Sequence, residues 1–165
     1  MNIYLLRHGD SVDVGAPGIT ADIERTLTDG GKEQMARIAT GMKRLGIEID
    51  LMVSSTAVRA LQTAETAAEA IGSPPLKESA IFYEGDSREI HASLGDYPEV
   101  ESLMIVGHAP TLSELGSILI SGNANIDIKL GKAGLILVDV SSLVENGGGQ
   151  LKWALPAEVM EALGE

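Results

Sequence analysis

The sequence contains no cysteine among its 165 residues. That excludes a disulfide framework, a thiolate nucleophile and any cysteine-based metal site. Aromatic residues are almost as scarce, with one Trp, one Phe and three Tyr. A surface for single-stranded nucleic acid needs several stacking platforms, which this chain cannot supply. Positive charge is short as well: 12 Lys and Arg against 24 Asp and Glu leave a net charge of −12. Such a body repels phosphate backbones and anionic membranes. No apolar run approaches the ~18 residues of a membrane span. The first residues, Met1 to Arg7, offer no basic stretch ahead of a long apolar one, as a secretory signal would. The expectation is an acidic, cytoplasmic protein that binds neither nucleic acid nor membrane.

What is present has an ordinary globular balance, 44% apolar and 22% charged, enough to build one domain over residues 1–165. Short apolar runs alternate with helix-period segments, the pattern of an α/β fold with a largely parallel sheet. Strands are predicted at about 2–7, 50–54, 102–107, 133–140 and 150–155. The first four carry continuous apolar runs such as Leu103-Met104-Ile105-Val106, as strands covered on both faces should. The last alternates, with Leu151, Trp153 and Leu155 on one face, and reads as an edge strand. Met35, Ile38, Met42 and Leu45 make one helical stripe, and Leu61, Ala64, Ala68 and Ile71 another. Asp86 to Glu89 and Thr111 to Glu114 each read as a capping box. The run Asn146-Gly147-Gly148-Gly149 reads as a hairpin turn, which makes the end of the sheet antiparallel. The expected architecture is a three-layer α/β/α domain with a mostly parallel central sheet and an antiparallel edge.

In such sheets ligands bind beyond the carboxyl ends of the strands. Arg7-His8-Gly9-Asp10 follows the first strand at once. Ser54-Ser55 ends the second, with Arg59 one turn into the next helix, and Gly107-His108-Ala109-Pro110 ends the third. Each residue alone has a plainer reading: a solvated histidine, an exposed helix arginine, a glycine needed for a turn. Two His and two Arg at one end of three strands, on a protein this acidic, point instead to an anionic ligand. A zinc set of His8, His91 and His108 is the competing reading. It is disfavoured because His91 lies inside a predicted helix and the neighbouring arginines repel a cation.

These three motifs, in this order and at these strand ends, resemble the histidine phosphatase superfamily, also called phosphoglycerate-mutase-like. The short chain and the segment Glu24-Arg25-Thr26-Leu27-Thr28 resemble its small phosphohistidine phosphatase branch. The resemblance implies that His8 is a transiently phosphorylated nucleophile and that Arg7, Arg59 and His108 bind the phosphoryl group. It maps an arginine of the phosphate pocket onto Arg25. His108 would act most usefully as an imidazolium. Neither a metal nor a cofactor is implied, because arginine and histidine groups do the neutralising. The substrate implied is a phosphohistidine-bearing protein partner. The alternatives are a phosphomonoesterase on a small metabolite, or a phosphate-binding module without turnover. Ester hydrolysis needs a carboxylic acid to protonate the alkoxide, and Glu84 lies where the family often carries one. Imidazole leaves without such help, so Glu84 is read either as that acid or as a plain loop carboxylate.

Overall fold

The computed structural model describes residues 1–97, 100–143 and 146–165. A six-stranded sheet forms from β1 (Asn2–Arg7), β2 (Leu51–Ser55), β3 (Leu76–Ser79), β4 (Ser102–Gly107), β5 (Leu135–Asp139) and β6 (Gln150–Leu155). Their spatial order is β3-β2-β4-β1-β5-β6. The first four run parallel, whereas β5 is antiparallel to β1, and β6 to β5.

Alternate side chains of the central strands feed two cores, because successive residues of a strand face opposite sides. Tyr4, Leu6, Met52, Met104 and Val106 meet α1 (Asp29–Arg44), α2 (Val58–Ala70) and α6 (Ala157–Gly164). Ile3, Leu5, Val53, Leu103 and Ile105 meet α3 (Ile81–Glu84), α4 (Ser87–Ser93) and α5 (Thr111–Ser121). The three-layer expectation is thereby met. α1 begins where the Thr28 side chain accepts the Gly31 amide, and α4 where Asp86 accepts those of Arg88 and Glu89. Glu89 returns the contact to the Asp86 amide, completing the expected capping box.

Several expectations are corrected. β3 was not foreseen, since Leu76-Lys77-Glu78-Ser79 has no apolar run; it pairs with β2 through its backbone at the sheet edge. α6 was also missed. It is fastened to α1 by the fully buried Met160 and by close backbone approach: a Cβ on Gly41 would run into the Met160 carbonyl. Thr111 caps nothing, because the N-cap position falls on Pro110 and Thr111 is already the first helical residue. Leu45, expected on the buried stripe, is the C-cap of α1 and exposed. Leu151 does not share the inward face of Trp153. A register shift pairs Trp153 with Leu137 and Leu151 with Val138, so the alternation reverses and Leu151 is left 47% exposed. The glycine run does join the antiparallel β5 and β6 as expected, but it also packs on a helix: Gly148 and Gly149 donate their amides to the Ile120 and Leu119 carbonyls at the end of α5. Gly147 and Gly148 adopt φ of +82° and +83° there, a region that favours glycine.

Candidate active site

The carboxyl ends of β1, β2 and β4 open into a cavity of about 350 Å³. Arg7, His8, Asp22, Arg25, Arg59, Tyr83, His108 and Lys132 supply its polar lining. α2 and α5 both begin at this end of the sheet, Arg59 lying in the first turn of one and Thr111 opening the other. Their positive ends therefore add to the field of the cationic side chains.

His8 forms the floor. It is 6% exposed, and its backbone is held from both sides: its amide donates to the Gly107 carbonyl and its carbonyl accepts from the Ala133 amide. Its Nδ1 lies 2.7 Å from the Gly9 carbonyl oxygen, an acceptor only. That contact fixes the proton on Nδ1 and leaves Nε2 as a lone pair, which accepts from Arg59 Nε at 3.3 Å. Burial, helped by the neighbouring His108, Arg59 and Arg7, pushes the His8 pKa down to about 3. His8 is therefore a neutral imidazole at physiological pH.

His108 faces it, with ring centroids 5.1 Å apart. Ser55 Oγ lies 2.8 Å from its Nε2, and Arg59 Nη2 lies 3.3 Å from its Nδ1. Because the guanidinium can only donate, Nδ1 is the acceptor and Nε2 carries the proton toward Ser55. Burial first and the Arg59 charge second push its pKa down to about 4. The imidazolium expected from the resemblance is thus not the resting form.

Arg59, 5% exposed, is the hub. Beyond the two histidines it donates from Nη1 to the Asp22 carbonyl at 2.7 Å and from Nη2 to Asp22 Oδ2 at 2.9 Å. Arg7 is anchored by Nη1 on the Leu130 carbonyl at 2.9 Å, and its buried Nε has no acceptor among the described residues. A buried donor left open at a cavity wall suits an incoming oxyanion. Arg25 also lines the cavity; hydrogen bonds to the Val12 carbonyl, Ser11 Oγ, Asp13 and Asp22 Oδ1 hold its guanidinium and use four of its five donors.

Asp22 and Tyr83 carried no signal in the sequence, and Lys132 only an indirect one. Asp22 sits on a 3-10 turn pinned by Glu24, whose carboxylate collects the Thr20 and Ala21 amides and the Thr20 hydroxyl. Burial raises the Asp22 pKa, but hydrogen bonds from Arg25 and Arg59 outweigh it and bring the value down to about 2. Tyr83 donates to Asp22 Oδ2 at 3.1 Å. Lys132, paired with Asp10 at 2.6 Å, stands at the rim. Its loop precedes an antiparallel strand, so the start of β5, not its end, comes to the site. That clue lay in the predicted antiparallel edge.

Two residues weighed in the alternative readings lie elsewhere. Glu84 is exposed at the end of α3 and does not line the cavity. His91 lines a different cavity, beside Arg88 and Ile118. Among the described residues no group of three or more His, Asp or Glu is placed to hold a metal ion.

Residues 3–98 match the histidine phosphatase superfamily, branch 1. The chain belongs to this superfamily. An uncharacterised protein of Picosynechococcus sp. is 30% identical over 140 residues, covering 82% of this chain and 83% of the relative. The phosphohistidine phosphatase SixA of Escherichia coli is 24% identical over 159 residues, covering 94% and 93%. The proposed phosphohistidine phosphatase SixA of Agrobacterium tumefaciens superposes with a TM-score of 0.78 at 27% identity, over 93% of this chain and 96% of that one. Within the superfamily the chain is SixA-like, and it is a phosphatase. No described helix is long and apolar enough to cross a membrane.

Proposed function

We propose that the protein removes phosphate from phosphohistidine on a protein partner, in the cytoplasm, through a phosphorylated His8 and without a metal. The observation that carries this reading is the His8 ring itself: neutral, its Nδ1–H spent on Gly9 and its Nε2 lone pair turned to Arg59. The similarity to SixA proteins over nearly the whole chain supports the same substrate class.

In the first step Nε2 attacks phosphorus in line, and the bond to the leaving imidazole nitrogen breaks with its electron pair returning to that ring. In the second, water attacks phosphorus, the P–Nε2 bond breaks, and inorganic phosphate leaves. Splitting one displacement into two is the purpose of the covalent intermediate. Charge on the equatorial oxygens is met by Arg59 and by the open Nε of Arg7, with Arg25 acting through Asp22. His108 Nδ1 lies where a phosphoryl oxygen would replace Arg59 as its partner. A proton taken up there turns it into a donor to that oxygen. Positive side chains thus supply the neutralisation that a metal would otherwise bring.

The leaving group favours phosphohistidine over an ester. Asp22 is the one carboxylate among the described residues lining the cavity, and its pKa of about 2 leaves it no proton to give an alkoxide. The test compares purified protein on a histidine-phosphorylated protein and on a panel of phosphate esters, with and without chelator. Release of phosphate from phosphohistidine, unchanged by chelator, is expected. Faster turnover of a small ester would overturn the substrate assignment.

A further inference from the structure

We propose that Asp22 is a specificity-determining residue that recognises the leaving group: its carboxylate accepts the remote ring N–H of a phosphorylated imidazole. This rests on the phosphohistidine reading above and names the group that distinguishes this substrate from an ester.

Arg59 measures out the site. Its Nε meets His8 Nε2 at the buried floor, and its Nη atoms meet Asp22 at the other end of the same planar group. The Asp22 side chain is 44% exposed, so this end is the mouth. In-line attack from the floor drives the leaving group toward the mouth. A phosphoryl group lodged beside Arg59 therefore directs its leaving atom toward Asp22.

Asp22 is held well enough to stay there. When a phosphoryl oxygen takes Arg59 Nη2, Asp22 Oδ2 loses one donor. Its carbonyl keeps Arg59 Nη1, Oδ1 keeps Arg25, and Oδ2 keeps Tyr83. The vacated direction on Oδ2 suits an N–H donor and repels an anionic group. A phosphohistidine ring brings such a donor on the nitrogen that does not carry phosphorus. Holding a proton there keeps the ring cationic, draws electrons from the P–N bond, and lets the ring depart as neutral imidazole. The proton stays on the remote nitrogen, so no external acid is consumed. Arg25 and Tyr83 are positioning residues in this scheme.

The test measures kcat/KM for wild type and Asp22→Asn on a phosphohistidine peptide and on p-nitrophenyl phosphate, whose leaving group needs no proton. Asn keeps an acceptor but loses its charge, and charge-assisted hydrogen bonds are roughly twice as strong as neutral ones. The ratio of phosphohistidine to ester turnover is expected to fall about tenfold or more. Orthovanadate inhibition reports separately whether Arg59 and the fold remain in place. An unchanged ratio, with both substrates and vanadate affinity weakened together, would make Asp22 only a tether for Arg59. A rise on both substrates would make it a competing counter-anion. Either result overturns the proposal. Failure of the phosphohistidine reading shows differently, as wild-type protein inactive on the peptide while active on the ester.

Discussion

Arg59 Nε donates to His8 Nε2 across 3.3 Å, so the guanidinium is aimed at the ring nitrogen that serves as nucleophile in the proposed mechanism. The contact holds that lone pair in direction, and in the proposed mechanism it gives way to phosphorus. Replacing Arg59 by Ala is expected to lower kcat/KM on the order of 10²–10³-fold or more, as loss of a preorganised donor does elsewhere. Lys should not restore it, because one ammonium cannot serve His8, His108 and both oxygens presented by Asp22. Steady-state kinetics on the two variants check this.

His8→Ala should abolish turnover while the remaining cationic groups still bind an oxyanion. Rapid-quench labelling of wild type should trap an acid-labile phosphoenzyme that the variant lacks. Undiminished turnover in the variant would mean that another residue attacks phosphorus.

Glu84→Gln should change kcat/KM by less than about twofold on any substrate, because Glu84 is exposed and outside the cavity lining. An ester activity that collapsed on this substitution, by the 10²–10⁴-fold typical of a lost general acid, would return the carboxyl to the reaction.

Both histidines titrate lower in the fold, about 3 and about 4, than their ordinary 6.5. The unfolded chain therefore binds more protons between those limits, and stability must fall as pH drops from about 6.5 toward 3. Asp22 adds to the loss only below its ordinary 3.8, down to about 2. Thermal midpoints measured from pH 7 to 4 should decline, and saturating phosphate should lessen the decline by favouring protonated His108. A flat profile would contradict the buried, neutral state of both rings.

Met160→Ala should cost about 2–5 kcal/mol in urea unfolding, the usual range for a fully buried large apolar side chain. Activity per folded molecule should persist, since α6 packs on α1 and contributes nothing to the cavity lining.

Arg7, His8 and His108 were legible because they follow apolar runs that could only be parallel strands, and Arg59 because it falls one turn after such a run. Asp22 and Tyr83 come from short turns with no periodicity, and only tertiary packing brings them to Arg59. Lys132 was hidden by direction, since attention to strand ends passes over the start of an antiparallel strand. β3 was missed because backbone pairing alone makes it a strand. Leu151 was misplaced because one bulge reverses every face beyond it. Arg25 was found, yet its partners were not: a sequence shows the cation but not the local acceptors that claim it.

The backbone hydrogen bonds on both sides of His8, to Gly107 and from Ala133, have a steric consequence for delivery. With its backbone tied to the end of β4 and to the loop that leads into β5, His8 keeps its ring at the bottom of the cavity. The recess above it works as a depth gauge. A phosphorylated side chain lying flat on a folded surface stops short of the nitrogen, whereas one that projects by the depth of the recess reaches it. On the proposed reading, how far the phosphorylated side chain stands out from its carrier becomes a condition of turnover, alongside its chemistry.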